Sequence, residues 1–331
     1  MDVLDRLQKT TPQGSPSAAS RSRVVVVGSL NADLTVTTAR LPGPGETVPG
    51  GPLRTLPGGK SANQAVMSGL LGVPTAMIGA VGADEHGTML MNSLNRAGVD
   101  TRHVQRCGAA TGTAVITVDA QGENTIVVSP SANGNLGAAE VQAGEALFRD
   151  AGSLGLCLEV GDEALLAAAS IAHEEGVITV LNPSPLRDLP DDLVDLTDVL
   201  VVNEHELAVF TRVESGTSVQ GGVNPEQATR WARALADRGI DRAVLTLGSQ
   251  GSVVMDHGEV RVLPAFTVHT VDTTGCGDAC TGSVLAALAA RIPLAEGAVL
   301  AGAVSALAAT REGAQLSYPG AAEVRDFLVG R

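Results

Sequence analysis

The stretch VDTTGCGDACTGSVLAALAA, residues 271–290, carries the most chemistry in the chain. Gly275 and Gly277 allow a tight backbone turn directly before an Ala-rich helix. The N–H groups of residues 275–278 would converge there into an anion site. Asp278 stands beside them, an acid where a hydroxyl proton could be taken. An Asp in a first helical turn also complements the helix dipole. That alone does not account for the flanking glycines, or for Asp272, Thr273 and Thr274 on the same loop. A dinucleotide fingerprint is excluded, because Cys280 replaces the last glycine and the segment lies at the wrong end of the chain.

Four further stretches offer polar groups at turns. In SLNADLTV (29–36), Asn31 and Asp33 follow an apolar run and project to one side of a strand, a pair suited to a polyol or simply to a polar turn. In PGGKSANQA (57–65), the paired glycines let backbone approach a ligand, and Asn63 lies in the first turn of a helix. A P-loop is rejected there because position 54, which that pattern needs as Gly, is Arg54. Asn203 and Glu206, in DVLVVNEHELAVF (198–210), fit a capping box as well as a ligand site. LTLGSQGSV (245–253) places Gly248 and Gly251 in a turn that would hold a nucleotide or close an ordinary hairpin.

The elements that must position these groups alternate. RVVVVG (23–28) reads as a buried strand and 60–72 as a helix with a small-residue face; 76–82 follows as a strand and 85–98 as a helix. Farther on, strands at 154–158, 177–181, 198–202 and 243–247 intersperse with helices at 163–175, 204–211 and 225–238. This order predicts a mostly parallel sheet covered by helices on both faces. Residues 33–57 and 111–129 break the rhythm with short strands joined by Gly/Pro turns, AQGE forming a hairpin tip. Two such inserts imply a small sheet over one edge, either a flap over a ligand or decoration.

Composition narrows the field. The 331 residues are 44% hydrophobic and 18% charged, which suits a large core and excludes a disordered chain. Gly at 39 with four Phe, one Trp and one Tyr indicates tight turns and an aliphatic interior. A net charge of −14 without a Lys/Arg run argues against nucleic-acid or anionic-membrane binding. The cysteines Cys107, Cys157, Cys276 and Cys280 form neither a disulfide framework nor a zinc set. Residues 1–22 read as a disordered polar tail without a signal-peptide core. The apolar tract 283–309 is interrupted by Arg291, Pro293 and Glu296, so no segment is expected to span a membrane. A soluble, cytoplasmic, enzyme-sized protein is the expectation.

Taken together in order, GSLNAD (28–33), PGETV (44–48), GGKSANQA (58–65), LNPSP (181–185), VVNEHE (201–206), LTLGSQG (245–251), DTTGCGD (272–278) and TREGAQ (310–315) resemble the ribokinase family of carbohydrate and nucleoside kinases, from about residue 23 to 328. The resemblance implies a three-layer α/β/α sandwich over 23–331, with a mostly parallel central sheet and a β-sheet lid from about 34–57 and 108–130. It also implies ATP-dependent phosphorylation of a sugar hydroxyl, commonly the 5-position of ribose. By position, Asn31, Asp33, Gly59, Lys60, Asn63 and Glu159 would line the sugar site. Asp278 would be the catalytic base, with Gly275, Cys276 and Gly277 as the anion hole. Asn203, Thr246, Leu247, Gly248, Ser249, Gly251, Gly277 and Gly302 would contact ATP, and Glu206 would help hold Mg²⁺ through water. Asp272, Thr274, Ala308, Arg311, Gly313 and Ser317 would form the loop for an activating K⁺. A homodimer through the lid is implied too, exposed lid-strand edges giving a physical reason for it.

Cys276 stands where that family usually has Ala, Cys280 where it often has Phe, and Ser61 where a second Gly is usual; none removes a candidate catalytic group. A helix N-terminus is expected to depress both the Asp278 carboxyl and the Cys276 thiol, making Cys276 oxidation-sensitive. Other sugars, sugar acids, nucleosides, or an inactive sugar-binding sensor remain open alternatives.

Overall fold

The computed structural model describes residues 3–8, 21–213 and 224–330. In chain order the first elements are α1 (Val3–Gln8), β1 (Arg23–Val27), β2 (Asn31–Thr37), β3 (Arg54–Gly58), α2 (Lys60–Leu70), β4 (Thr75–Gly82), α3 (Glu85–Arg96) and β5 (Val99–Cys107). Then come β6 (Gly112–Val118), β7 (Asn124–Ser129), α4 (Ala138–Ala143), β8 (Ala151–Cys157), α5 (Asp162–Glu175), β9 (Ile178–Asn182), α6 (Asp191–Asp195), β10 (Val199–Asn203), α7 (Glu204–Thr211) and α8 (Pro225–Ala236). The last are β11 (Arg242–Thr246), β12 (Ser252–Asp256), β13 (Glu259–Leu263), α9 (Cys276–Ala289), α10 (Leu294–Ala308) and α11 (Ala321–Val329).

Nine strands make the main sheet in the order β13-β12-β11-β10-β9-β8-β1-β4-β5. The seven from β11 to β5 run parallel, while β12 and β13 add antiparallel at one edge. Strand β1 shows why the run RVVVV forms a central strand. Val24 and Val26 enter one core with α2, α9 and α10, whereas Val25 and Val27 enter another with α5 and α8. Alternating side chains thus feed both faces, which is the three-layer sandwich. Helix α9 is buried throughout from Asp278 to Ala289, in keeping with its apolar and small residues on every side.

The second sheet has the order β3-β2-β6-β7, with β2 and β6 parallel. Its strands lie within the two inserts expected to form a lid. Parallel strands β1, β8, β9, β10 and β11 end at one edge, so Asn31, Glu159, Asn182, Asn203 and Thr246 gather at the carboxyl ends, where open α/β sheets bind ligands.

The reading of 1–22 as a disordered tail is corrected at Val3–Gln8, which form a helix with Leu4 and Leu7 fully buried. Residues 9–20 lie outside the described residues. Arg6 pairs with Glu296 at 3.0 Å and donates to the Arg291 carbonyl, while Arg325 pairs with Asp5 at 3.2 Å. Two buried leucines contribute roughly 1.5–3 kcal/mol each, before ordering entropy is deducted. Reading the segment as polar overlooked this i, i+3 pair.

Candidate active site

Three backbone devices shape the site. Gly59 caps α2 at φ +90°, and a Cβ there would lie 2.7 Å from the Asn31 nitrogen and 2.9 Å from the Ser29 carbonyl. Only glycine lets the start of α2 approach the end of β1 this closely. Gly275 caps α9 in the left-handed region, and a Cβ there would meet Tyr318 Oη at 2.8 Å and Ala314 Cβ at 2.6 Å. Ser61 fills the space that Gly28 leaves open, with its Oγ 3.0 Å from Cys157 Sγ.

On the lid side, Glu159 Oε2 accepts from Ser29 Oγ at 2.5 Å, from the Lys60 amide at 3.0 Å and from Asn31 Nδ2 at 3.4 Å. Asn31 Oδ1 in turn accepts from Asn133 Nδ2 at 2.8 Å, and Asn133 also bonds both backbone groups of Leu30. Burial pushes the Asp33 carboxyl up to about 7, and the charges of Glu159 and Asp278 add to it, against Lys60. Lys60 is held above its ordinary value by Asp278 first, then, against its own burial, by Glu159. The six residues expected to line the sugar site therefore lie in one neighbourhood.

Asp278 is buried in the first turn of α9, and its Oδ2 accepts from Asn63 Nδ2 at 2.8 Å. Its carboxyl rises to about 6: burial dominates, Lys60 and Asn63 oppose it, and Glu159 and Glu206 reinforce it. The expected depression by the helix terminus is thus overturned, because loss of water outweighs it. The same holds for Cys276, whose thiol burial pushes up to about 11, with Asp272 and Asp278 adding their charge. Its expected reactivity as a thiolate is withdrawn. The Cys276 N–H donates to the Thr273 carbonyl at 3.1 Å and so closes the turn. The Cys276 amide, expected among the anion-hole donors, is therefore already taken by this bond.

A cleft of about 140 Å³ opens beside this helix end, lined by Lys60, Asn203, Glu206, Thr246, Gly277 and Asp278 among others. Asn182 and Ser184 also line it and were given no role; Asn182 ends β9, Ser184 stands just past it, and both lie in the LNPSP stretch. Asn203 and Glu206 form the capping box in full: Asn203 Oδ1 accepts from the Glu206 amide at 2.8 Å, and Glu206 Oε2 from the Asn203 amide at 3.0 Å. Gly248 and Ser249 lie in the 3₁₀ turn next to Thr246, and Leu247 closes the turn by bonding Gly251. Gly302 is not at this cleft lining; it faces Phe266 from within α10.

In the candidate cation loop, Asp272 Oδ2 accepts from the Gly313 amide at 2.8 Å and Oδ1 from the Thr274 amide at 2.9 Å. Although burial works the other way, these donors hold the Asp272 carboxyl below its ordinary value. Ser317 Oγ donates to the Ala314 carbonyl, the Arg311 amide bonds the Ala308 carbonyl, and the Arg311 guanidinium pairs with Glu323. An ionised carboxylate among neutral oxygens suits a hard cation. The described residues hold no group of three or more His, Cys, Asp or Glu that could bind a metal. No helix among them is long and apolar enough to cross a membrane.

A helix N-terminus aimed at a strand-end cleft, a buried acid in its first turn and a lid define a phosphoryl-transfer enzyme acting on a small alcohol. Comparison with known proteins agrees. The model of the pfkB family carbohydrate kinases matches residues 21–321. A curated relative named ribokinase from Haemophilus influenzae is 34% identical over 309 residues, covering 93% of this chain and 99% of the relative. Another of that name from Schizosaccharomyces pombe is 36% identical over 91% of this chain and 96% of its own length. Arabidopsis thaliana ribokinase, solved with ribose and ATP, superposes with a TM-score of 0.84 at 30% identity, over 93% of this chain and 98% of that one. The chain belongs to the pfkB family of carbohydrate kinases, and its activity is ATP-dependent phosphorylation of a sugar.

Proposed function

We propose that the sugar is D-ribose and the product D-ribose 5-phosphate. The observation that carries this reading is the convergence of Asn31, Asp33, Glu159 and Asn63 on Asp278, an array of acceptors and donors facing one acid. It is supported by the family relatives named ribokinase and by the neighbour solved with ribose and ATP.

In this reading the sugar hydroxyl attacks the γ-phosphorus of ATP, the bond to the β-phosphate oxygen breaks, and ADP leaves. Asp278 takes the hydroxyl proton. A loose transition state asks for little basicity early, so a carboxyl near 6 is sufficient above that pH. The amides of Gly277 and Asp278 donate to the transferring group, where preorganised dipoles are most effective. Lys60, in the same cleft, opposes the negative charge there. Asn203, Thr246 and the turn at 247–251 hold the nucleotide. Mg²⁺ would neutralise phosphate charge when bound, held through water by Glu206. Asp272 and Thr274, with the backbone of the 308–317 loop, would hold K⁺.

The lid presents Ile126, Val127 and Val128 on an edge strand that is exposed along its whole length. We assign a second copy of the chain to that edge, and sedimentation should find a dimer that Val127→Lys dissociates. The four cysteines are unpaired, which fits a reducing cytoplasm.

The test is ADP release with MgATP against a panel of sugars, sugar acids and nucleosides, each with and without K⁺, using the parent and Asp278→Asn. Ribose turnover stimulated by K⁺ and lost by at least about a thousandfold in Asp278→Asn supports the reading. Turnover of another member of the panel replaces the substrate, and ribose binding without turnover makes the chain a sensor.

A further inference from the structure

A chain of amide and hydroxyl side chains runs behind the base: Asn63 and Gln315 are buried and Ser93 is half-buried, and the reaction above gives no task to Gln315 or Ser93. Ser93 Oγ, on α3, donates to Gln315 Oε1 at 2.6 Å. Gln315 Nε2 donates to Asn63 Oδ1 at 2.9 Å, and Asn63 Nδ2 donates to Asp278 Oδ2 at 2.8 Å. Gln315, Asn63 and Asp278 are 7%, 4% and 7% exposed, so water does not compete for the bonds among these three.

The direction of every bond in this chain is fixed by its far end. An Asn amide has one donor end and one acceptor end. Were Asn63 turned over, its Oδ1 would face the Asp278 carboxylate, acceptor against acceptor, and its Nδ2 would face the Gln315 NH₂. Because the Asp278 carboxylate can only accept, Asn63 and then Gln315 are held in the observed sense, and Ser93, whose hydroxyl can donate or accept, completes the chain by donating to Gln315 Oε1. The charged acceptor at the other end makes the Asn63–Asp278 bond stronger than a neutral one.

The loop that carries Gln315 meets the site twice more. Gly313 donates its amide to Asp272, and Tyr318 Oη donates to the Gly275 carbonyl at the mouth of α9 at 2.9 Å. Base, helix cap and Asp272 are thus tied to one nine-residue span, 310–318.

We propose that Gln315 is a positioning residue for the catalytic acid, acting through Asn63, with Ser93 anchoring its Oε1. The proposal rests on Asp278 being the base. Other groups facing Asp278 are Lys60 on α2, Glu159 beyond β8, Glu206 on α7, Asp33 on β2, Cys276 on α9 and Tyr318 after α10. All of them remain in the variants below, and Gln315→Met, Ser93→Ala and Ser93→Thr add no charge, so changes in those report the amide chain.

The experiment follows the titration of Asp278 in two ways. One is the acid limb of the pH profile of kcat/KM for the sugar. The other is the carboxyl carbon-13 shift of Asp278 in the empty enzyme, which needs no turnover. Gln315→Met keeps length and volume but removes both polar ends. It should move both titrations upward by about half a unit to one unit, a three- to tenfold loss of activity on the acid side that recovers at high pH. Gln315→Glu, which offers acceptors only, should turn Asn63 over and shift them further. Ser93→Ala should give a smaller shift, and Ser93→Thr should restore the parent curve. Uniform loss at every pH with an unmoved carbon-13 titration overturns the proposal. If Gln315→Met fails to fold, Ser93→Ala compared with Ser93→Thr gives the same decision. Should Asp278→Asn keep full turnover, the base assignment fails, while the carbon-13 titration still decides the role of Gln315.

Discussion

In the proposed reading, the sugar half and the nucleotide half of the cleft are built from different materials. On the sugar side, side chains hold one another: Glu159 takes three donors, Asn31 is aligned by Asn133, and Asn63 bridges Asp278 to Gln315. On the nucleotide side, the backbone does most of the holding. Asn203 and Glu206 spend their side chains on the α7 cap, and the 247–251 turn is closed by main-chain bonds at 2.9–3.2 Å. A site made of side chains can discriminate hydroxyl patterns, since a missing partner leaves a buried polar group unpaired. A site made of backbone and glycine tolerates sequence change but not added volume.

The largest effect should therefore come from the sugar side. Asp33→Ala should lower kcat/KM for the sugar by about a hundredfold or more, since hydrogen bonds to a charged group contribute roughly 1.5–3 kcal/mol each. The KM for ATP should stay near the parent value. The same residue carries a pH signature. Its folded carboxyl lies near 7 against an ordinary 3.8, so between those values the folded state binds more protons than the unfolded one. Stability of the empty enzyme then falls as pH rises through that window, and Asp278 adds to the fall. Asp33→Asn should remove part of this loss and raise Tm by at least about 2 °C at pH 8 relative to the parent, but not at pH 4. A parent Tm that rises from pH 4 to 7, unchanged in its slope by Asp33→Asn, would contradict the argument.

A smaller effect should follow from adding one methyl group on the nucleotide side. Gly251 sits at φ +97°, and a Cβ there would lie 2.0 Å from the Leu263 carbonyl oxygen and 2.8 Å from the Ala265 nitrogen. Strain of about 1–3 kcal/mol must be relieved by opening the turn between β11 and β12. Gly251→Ala should raise the KM for ATP about tenfold and leave sugar binding alone, measured by calorimetry on each ligand. Equal damage to both ligands would show that the two halves are not separately built.

The contrast also explains what the sequence could tell. The βαβ order was legible because its strands, such as RVVVV, are buried on both faces and its helices begin at recognisable caps. Strand β5, the β12–β13 pair and helices α10 and α11 escaped: β5 and β13 are half exposed, α10 (LAEGAVLAGAVSALA) is apolar on nearly every side, and α11 is short with only Val324 buried. In the site, residues at glycine turns announced themselves, as at 58–63 and 275–278. Asn133 did not, because its role is to align Asn31 across 102 residues of chain and no local pattern encodes that. Gln315 lay inside a motif without an evident task until its distance to Asn63 was known. Electrostatics were misjudged for Asp278 and Cys276, where burial cannot be read from neighbours in sequence.

The smallest expected effect is the sharpest check on the comparison. Thr246 lies in the cleft at the end of β11, and its Oγ1 donates to the Val202 carbonyl at 3.3 Å. If backbone holds the nucleotide, Thr246→Val, which keeps the shape and removes a hydroxyl already bonded to Val202, should change the KM for ATP by less than about threefold, because the lost bond is not one to the nucleotide. A tenfold rise would mean that this hydroxyl turns from Val202 toward the nucleotide on binding. The nucleotide half would then be built from side chains after all, and the difference in tolerance between the two halves would reduce to how deeply each is buried.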